Sequence, residues 1–301
     1  MFNKKLLGMI LTAILFLLGS HNVAAQGRRM FLGVYDPNGT FSQEKMDMEG
    51  YFIPPDPTQL AAVLDNASSK NRTPIVTIEW TCPDQSDPEN VLQKMYKGEY
   101  DDTVRALAQT IKSYDGIVMI RLFHEMELTG LYCWSRGIPA EFISAYRHFV
   151  DVFRKEHVNN AKYVWAPAGN SQAVRYFPGT QYVDLISFTL LGYDQWDIKY
   201  SSKHLPRSFK ELLMEKYWLL DQFQKPMFIG EFGIARPKDD ERKAWLTLAL
   251  EDLKTGAFPH LVGVMYFNAK NAENSWTNDQ PDWSITPDIF WSPTDMPALA
   301  K

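Results

Sequence analysis

Short apolar segments alternate with longer segments of helical periodicity along residues 27–295. The short segments read as nearly continuous apolar runs, which is typical of strands that are buried on both faces of a parallel sheet. They predict eight strands, at Met30–Tyr35, Gly50–Ile53, Pro74–Glu79, Ile117–Phe123, Lys162–Trp165, Leu185–Phe188, Pro226–Ile229 and Leu261–Phe267.

The longer segments predict helices that cover this sheet. Within residues 139–156, Phe142, Tyr146, Phe149 and Phe153 recur at three- and four-residue spacing, which buries one face of a helix. The same reasoning predicts five helices, at Thr58–Ser69, Asp101–Ser113, Pro139–Glu156, Ser208–Gln224 and Asp239–Thr255.

Eight strand–helix units in about 270 residues favour a closed (β/α)8 TIM barrel, forming a single α/β domain over residues 26–301. An open, doubly wound sheet is the alternative, and it would place a glycine-rich phosphate loop after its first strand. The chain instead continues with the turn sequence Asp36-Pro37-Asn38-Gly39. No nucleotide-binding motif follows any predicted strand, so the barrel is the expected fold.

The first 25 residues have the pattern of an export signal. Lys4 and Lys5 precede the apolar run Leu6–Leu18, and Val23-Ala24-Ala25 offers small residues for cleavage after Ala25. The alternative is a membrane anchor, but the run is short for spanning a bilayer. We therefore expect a secreted or periplasmic protein that has no membrane association once the signal is cleaved.

Charge and composition narrow the class of partner. The net charge of −5 becomes −7 when the two lysines of the signal are removed, which argues against nucleic acid as a partner. Phe, Trp and Tyr make up 14% of the chain. Aromatic rings stack on sugar faces, but they also pack cores, and composition leaves both uses open.

Two glutamates follow strands that lie across the barrel from each other. Glu125 comes after the fourth predicted strand and Glu231 after the seventh, at the end of the barrel where catalytic residues collect. A facing pair of carboxyl groups is what glycoside hydrolysis requires. Strand-end carboxylates also serve as metal ligands, helix caps or ion-pair partners, so the pattern alone leaves these roles open.

Other chemistries have weaker support. His124 stands beside Glu125, but no second His or Cys follows at ligand spacing, and the chain has no HExxH motif. No GxSxG motif indicates a serine hydrolase. We expect no metal and no cofactor. Asp194 and Glu127 are the rival acids.

Several segments, in order and at compatible spacing, resemble glycoside hydrolase family 26, whose members are retaining β-glycosidases built on this barrel. The resemblance extends over roughly residues 31–268. It rests chiefly on Gly98-Glu99-Tyr100-Asp101, the segment Arg121–Met126, Val164-Trp165-Ala166-Pro167, Tyr176-Phe177-Pro178-Gly179 and Glu231-Phe232-Gly233.

The resemblance implies a role for each matching residue. Glu125 would act as acid and base, and Glu231 as nucleophile, with Arg121 and the Tyr193 hydroxyl beside it. His124 would bind sugar hydroxyls or orient Glu125. Trp134 would lie on the leaving-group side, and the weaker candidates for stacking on sugars are Trp165, Trp80, Trp276 and Trp283.

The resemblance also implies an endo-β-1,4-mannanase-like enzyme that acts on a polysaccharide or oligosaccharide as a monomer. Two departures leave other substrates open. Glu127 replaces the Asn usual in mannanases, and Phe188-Thr189-Leu190-Leu191 stands where Gly and Asp are common. Mixed-linkage glucan, xylan and exopolysaccharide remain alternatives, as does a carbohydrate-binding barrel without turnover.

The two cysteines follow neighbouring strands. Cys82 follows the third strand and Cys133 the fourth, so the two could come within bonding distance at the same end of the barrel. Our hypothesis is a disulfide that holds the loop carrying Trp134 beside Glu125. Two free thiols are the alternative.

Overall fold

The computed structural model describes residues 29–82, 90–270 and 281–299; the predicted signal segment and Trp276 lie outside this part of the chain. Eight strands are formed: β1 (Phe31–Tyr35), β2 (Met48–Ile53), β3 (Thr73–Ile78), β4 (Val118–Leu122), β5 (Ala161–Trp165), β6 (Leu185–Tyr193), β7 (Met227–Ala235) and β8 (Leu261–Phe267).

The strands close into one parallel barrel in chain order. Each strand pairs with the next, and β8 returns to pair with β1, where Gly33 lies opposite Met265. Closure leaves no unpaired strand edge, which satisfies the backbone groups of all eight strands. The predicted (β/α)8 barrel is therefore confirmed.

Helices connect most of the strands and cover the barrel. They are α1 (Pro57–Ser69), α2 (Val91–Lys97), α3 (Asp101–Ser113), α4 (Pro139–Lys155), α5 (Asp194–Tyr200), α6 (Phe209–Asp221) and α7 (Asp239–Lys254), with 3-10 turns at Ala173–Tyr176, Thr180–Tyr182 and Pro287–Ile289. The five predicted helices are all present, with small shifts at their ends.

The sequence pattern missed α2 and α5. Each has seven residues, which is about two turns and too short to establish a periodic apolar face. Local chemistry defines α2 instead. The Asn90 side chain accepts hydrogen bonds from the Leu92 and Gln93 amides at its start, and Gly98, at φ 84°, ends it.

The strands separate two apolar layers because side chains alternate between the two faces of a strand. One layer fills the barrel interior, and the other lies between the strands and the helices. The interior layer consists of Met48, Ile75, Met119, Val164, Leu185, Phe228 and Met265, with Phe31 packed against it. Trp165 and Trp80 belong to the outer layer.

Strands β6 and β7 both run further toward the barrel mouth than the apolar pattern predicted, to Tyr193 and Ala235. Their pairing shifts register after Phe188, close to Gly230, where an added Cβ would stand 2.9 Å from the Ser187 Cβ. Beyond the shift, Thr189 lies opposite Glu231.

Cys82 and Cys133 form a disulfide, with their Cα atoms 5.5 Å apart. The bond joins the loop after β3 to the loop after β4, as the positions of the two residues predicted. It fixes the segment that carries Tyr132 and Trp134 at the barrel mouth. Within the described ranges, no helix has both the length and the apolar character needed to cross a membrane.

Candidate active site

Glu125 lies in the loop that follows β4, where the backbone adopts an unusual conformation. Phe123 and Glu125 have φ angles of 51° and 52°, in the left-handed region that non-glycine residues seldom adopt. The Glu125 amide donates to the Ala166 carbonyl at 2.7 Å, which ties this loop to the end of β5. Such strain is maintained only where the surrounding structure enforces it, and it commonly occurs at functional sites.

Two hydroxyl groups hold the Glu125 carboxylate, one on each oxygen. Thr189 Oγ1 donates to Oε1 at 2.5 Å, and the Tyr132 hydroxyl donates to Oε2 at 3.3 Å. Glu125 itself is buried, with 8% of its surface exposed. Its carboxylate therefore has a fixed direction, as a group that transfers a proton to one particular atom requires.

Glu231 lies within β7 and is buried to a similar degree. Arg121, from β4, donates to Glu231 Oε1 at 2.7 Å across the barrel. Thr189 lies opposite Glu231 in the pairing of β6 with β7, and its hydroxyl holds Glu125. Thr189 thus contacts Glu125 and lies beside Glu231.

Burial raises the pKa of Glu231 to about 7, and the nearby carboxylates of Glu125 and Glu79 act in the same direction. The guanidinium of Arg121 lowers this pKa through its charge and its hydrogen bond, but burial has the larger effect. The expectation that Arg121 lies beside Glu231 matches the structure, whereas the ionised form of Glu231 is less favoured than that pairing suggested.

His124 is enclosed beside these acids. Its Nε2 lies 3.2 Å from the Tyr132 hydroxyl, and burial together with the charge of Arg121 holds its pKa well below the usual value. The imidazole is therefore neutral at physiological pH. Trp134 Nε1 donates to the His124 carbonyl at 2.8 Å, and the Trp134 ring stacks on Tyr132 at a centroid distance of 4.7 Å.

A third carboxyl group faces the same space. Glu79 directly follows β3, its side chain is 42% exposed, and its Oε1 lies 3.9 Å from His124 Nε2. Burial raises the pKa of Glu79, and the charge of Arg121 opposes that effect. The sequence pattern placed Glu79 at a strand end, but its functional candidates did not include it.

The aromatic candidates occupy different layers. Trp165 is fully buried behind β5 against Phe177 and Phe223, and Trp80 packs on Tyr100 in the outer layer, so neither faces the mouth. Trp283 is fully buried and donates to the Gly192 carbonyl at 3.1 Å. Trp276 lies outside the described residues.

Other aromatic rings lie at the mouth, and of these the sequence had not singled out Tyr35 and Phe52. Tyr35, at the end of β1, stacks on Phe267 at 5.0 Å and contacts the Phe52 ring edge-on at 4.9 Å. Phe52 in turn lies 5.6 Å from the His124 ring. Tyr193 packs near Trp283, which also contacts Phe267, and the Tyr193 hydroxyl donates to Gln195 Oε1 at 2.8 Å.

The two rival acids have structural partners. Asp194 forms an ion pair with Arg236 at 3.0 Å. Glu127 is buried, and its Oε1 accepts a hydrogen bond from the Gly169 amide at 2.8 Å. In the part of the chain that the structure describes, no cluster of three or more His, Cys, Asp or Glu side chains could hold a metal ion.

Thr189 and Tyr132 are two further residues of this site that sequence reasoning missed. Thr189 is the polar residue in the segment Phe188–Leu191, so its hydroxyl was the available signal. Tyr132 lies next to Cys133, and only the position of the disulfide indicated that it lies near Glu125. The Thr189 contact joins β6 to the loop after β4, whereas the Tyr132 contact lies within that loop.

Comparison with known proteins identifies a protein family whose model matches this chain. The family model described as "Glycosyl hydrolase family 26" matches residues 79–239, a range that contains both glutamates. Endoglucanase H of Acetivibrio thermocellus is 28% identical over 197 residues, covering 62% of this chain. That match covers only 21% of the relative, so the chain corresponds to about a fifth of its length.

Solved structures agree in fold. The GH26 β-mannanase of Bacteroides ovatus has a TM-score of 0.63 at 13% identity, with 86% of this chain and 85% of that chain covered. A double mutant of the Cellulomonas fimi endo-β-1,4-mannanase also has a TM-score of 0.63, at 14% identity, with coverages of 87% and 68%. At these identities the likeness shows the barrel fold alone.

Proposed function

The chain belongs to glycosyl hydrolase family 26, and from that premise we propose that it is a retaining hydrolase that cleaves internal bonds of a β-linked polysaccharide. The observation that carries the proposal is the position of the two acids. Glu125 accepts a hydrogen bond from Thr189, and Thr189 lies opposite Glu231 in the pairing of β6 with β7. Two carboxyl groups close together at a barrel mouth favour double displacement.

In the first step, a Glu231 oxygen attacks the anomeric carbon of the sugar. The bond from that carbon to the glycosidic oxygen breaks, and its electron pair stays on the departing oxygen. Glu125 transfers its proton to that oxygen, so a sugar alcohol leaves and a glycosyl ester of Glu231 remains. The Thr189 and Tyr132 hydroxyls fix the direction of the Glu125 carboxyl group during this transfer.

In the second step, the ionised Glu125 takes a proton from water. The water oxygen attacks the anomeric carbon, and the ester bond to Glu231 breaks, which restores the carboxylate of Glu231. Arg121 stabilises that carboxylate, since its guanidinium lies 2.7 Å from Oε1. Two inversions at one carbon give net retention of configuration.

The neighbouring residues suit a neutral sugar. His124 is uncharged and Glu79 is partly exposed, so both can exchange hydrogen bonds with sugar hydroxyls. Tyr35 and Phe267 offer ring faces on the same side of the mouth. We include Tyr193 among the substrate-binding residues because it lies at the mouth end of β6.

β-1,4-Mannan is the first candidate substrate. Two solved structures with this fold, from Bacteroides ovatus and Cellulomonas fimi, are named as mannanases. A β-glucan is the second candidate, because the curated relative is named Endoglucanase H and because Glu127 replaces the Asn usual in mannanases. A panel of mannan, mixed-linkage glucan, xylan and cellulose discriminates between them by which polymer is hydrolysed, and the product sizes show whether internal bonds are cleaved.

The test of mechanism uses one variant for each role. Glu231→Ala should abolish turnover while the protein still binds oligosaccharide. Glu125→Ala should lower kcat/KM on natural substrates by about 100-fold or more, yet spare kcat/KM on aryl glycosides whose leaving group needs no proton in the first step. NMR of the first-formed product should show the β-anomer. Normal turnover by Glu231→Ala, or an α-anomer as the first product, contradicts the proposal.

We further propose that the protein is exported with cleavage after Ala25 and that it acts outside the cytoplasm as a monomer. The Cys82–Cys133 disulfide supports this placement, since such bonds persist in oxidising compartments. The mass of the secreted protein should correspond to a chain that begins at Gln26. Retention of the first 25 residues in the exported form would contradict cleavage.

A further inference from the structure

Lys216 is a cation on the outer helix α6 whose charged end reaches the active-site loops. Its Nζ donates to the Ala168 carbonyl at 2.6 Å and to the Thr189 carbonyl at 2.6 Å. Burial lowers the pKa of this lysine, and the charges of Glu125 and Glu127 oppose that effect. An ammonium group enclosed in this way is costly, so its position requires compensating contacts.

Both carbonyls that Lys216 binds belong to segments that hold Glu125. Thr189 is the residue whose hydroxyl donates to Glu125 Oε1. Ala168 follows Ala166, whose carbonyl accepts from the Glu125 amide, with one residue between them. A single ammonium therefore joins the segment that holds the Glu125 side chain to the segment that holds its backbone.

Glu127 ties the same loops together on the other side. Its Oε1 accepts from the Gly169 amide, so the loop after β4 is bonded to the loop after β5 twice, through Glu125 and through Glu127. Glu127 Oε2 is buried and has no hydrogen-bond partner among the described residues. The lysine and this carboxylate lie on either side of the short segment Ala168–Gly169.

The backbone at Gly169 accommodates the lysine. Gly169 has φ +93°, and a Cβ added there would stand 3.2 Å from the Lys216 Cδ and Cγ. A larger residue would therefore have both an unfavourable backbone conformation and a close contact with the lysine stem. The glycine, the lysine and the two carbonyls form one packed unit behind Glu125.

We propose that Lys216 is a positioning residue for the acid/base Glu125, acting through Thr189. This inference rests on the proposed function, because it assigns Glu125 the proton transfer. Lys216 fixes the Thr189 backbone, and the Thr189 hydroxyl in turn fixes the Glu125 carboxyl group toward the departing oxygen. Loss of the lysine then harms the step that requires this proton and spares steps that do not.

The test compares leaving groups in Lys216→Met, Thr189→Val and the double variant. The substrates are mannopentaose and cellopentaose, and the dinitrophenyl β-glycosides of mannobiose and cellobiose, which need no proton to depart. Lys216→Met should lower kcat/KM, which reports the first step, by about 10-fold or more on whichever oligosaccharide the enzyme hydrolyses. On the matching dinitrophenyl glycoside it should lower kcat/KM by less than about threefold. Lys210→Met, an exposed lysine of the same helix, is the matched control and should leave both rates unchanged.

The double variant tests the route through Thr189. If Lys216 acts through that residue, the double variant should be no slower than the slower single variant. Equal losses on both substrates, or fully additive losses in the double variant, would overturn the positioning role. Thr189→Val keeps the test decisive should Lys216→Met fail to fold, because normal oligosaccharide turnover in Thr189→Val also contradicts the route.

The two proposals fail in different ways. If Glu125→Ala and Glu231→Ala both retain turnover, the proposed function is wrong. If those two variants behave as expected while Lys216→Met shows no selective loss, only the role of Lys216 is wrong. Thermal unfolding of each variant separates a loss of fold from a loss of rate.

Discussion

The acid at position 231 shows how opposing effects act on one residue. Its burial in β7 favours the protonated form, while Arg121 at 2.7 Å favours the carboxylate. A buried nucleophile has to be ionised to attack, and the single guanidinium compensates only part of the cost of burial. The pH dependence of the enzyme should therefore reflect this residue.

We predict that kcat/KM falls on the acidic side as pH drops through about 7, rather than near the ordinary carboxyl value of 4.5. The reason is that Glu231 attacks only when ionised, and its raised pKa leaves it protonated over this range. The pH–rate profile of the free enzyme measures the effect. An acidic limb near pH 4.5 would show that Arg121 outweighs burial.

The raised pKa of Glu231 should also make the free energy of unfolding depend on pH in the absence of substrate. A carboxyl group whose pKa is raised by folding contributes stability that is fully present below about pH 4.5 and is lost as pH rises through about 7. Glu231→Gln should remove this contribution to the pH dependence. The free energy of unfolding of the unsubstituted protein and of Glu231→Gln is measured with denaturant at pH 4, 6 and 8. The same dependence on pH in both proteins would contradict the prediction.

At the scale of elements, the site depends on loops that are tied to their neighbours. Tyr132 and Trp134 lie in the loop after β4, where the disulfide to Cys82 restricts their position. The Tyr132 hydroxyl contacts both His124 and Glu125, so the covalent tie and the catalytic contact belong to one short segment. The loop after β4 is therefore both a structural and a functional element.

We predict that replacing Cys82 and Cys133 together by Ala lowers the free energy of unfolding by about 2–4 kcal/mol, since the bond closes a long loop. The two cysteines are 51 positions apart in sequence. Activity on oligosaccharides should fall as well, because Tyr132 loses its anchor. Denaturant unfolding and initial rates measure the two effects. Unchanged stability in the variant would show that the surrounding contacts alone hold the loop.

At the scale of the whole molecule, the two ends of the barrel use buried charge differently. At the mouth, Arg121 donates to Glu231, the proposed nucleophile. At the opposite end, Arg72 precedes β3 and donates to Glu49 Oε2 at 2.9 Å and to the carbonyls of Phe41 and Glu44. Contacts at this end of a barrel serve stability, because the active site lies at the other end.

We predict that Arg72→Met lowers the free energy of unfolding by about 3–5 kcal/mol, because it leaves the buried Glu49 carboxylate without its arginine partner. The kcat of the folded fraction should not change. Arg105→Met is the control, since Arg105 is an exposed arginine whose ion pairs are worth less than about 1 kcal/mol. A loss of kcat in Arg72→Met without a loss of stability would contradict this division between the two ends.

The sequence by itself determined the barrel and most of its helices, and it selected Glu125 and Glu231 as the candidate acids. Apolar runs and three- to four-residue periodicity are local properties, and they predicted all eight strands and five of the seven helices described. Glu125 and Glu231 could be selected because they follow strands, and the ends of parallel strands meet at one edge. The Cys82–Cys133 bond followed from the same reasoning.

Only the tertiary structure decided what each side chain faces. Trp165 and Trp80 lie in the outer layer because the alternation of side chains depends on which residue of each strand points inward. The contacts of Glu125 with Thr189 and of Glu231 with Arg121 join residues 64 and 110 positions apart. Barrel closure and the register shift at Gly230 create these contacts, and no local pattern of apolar and polar residues specifies either.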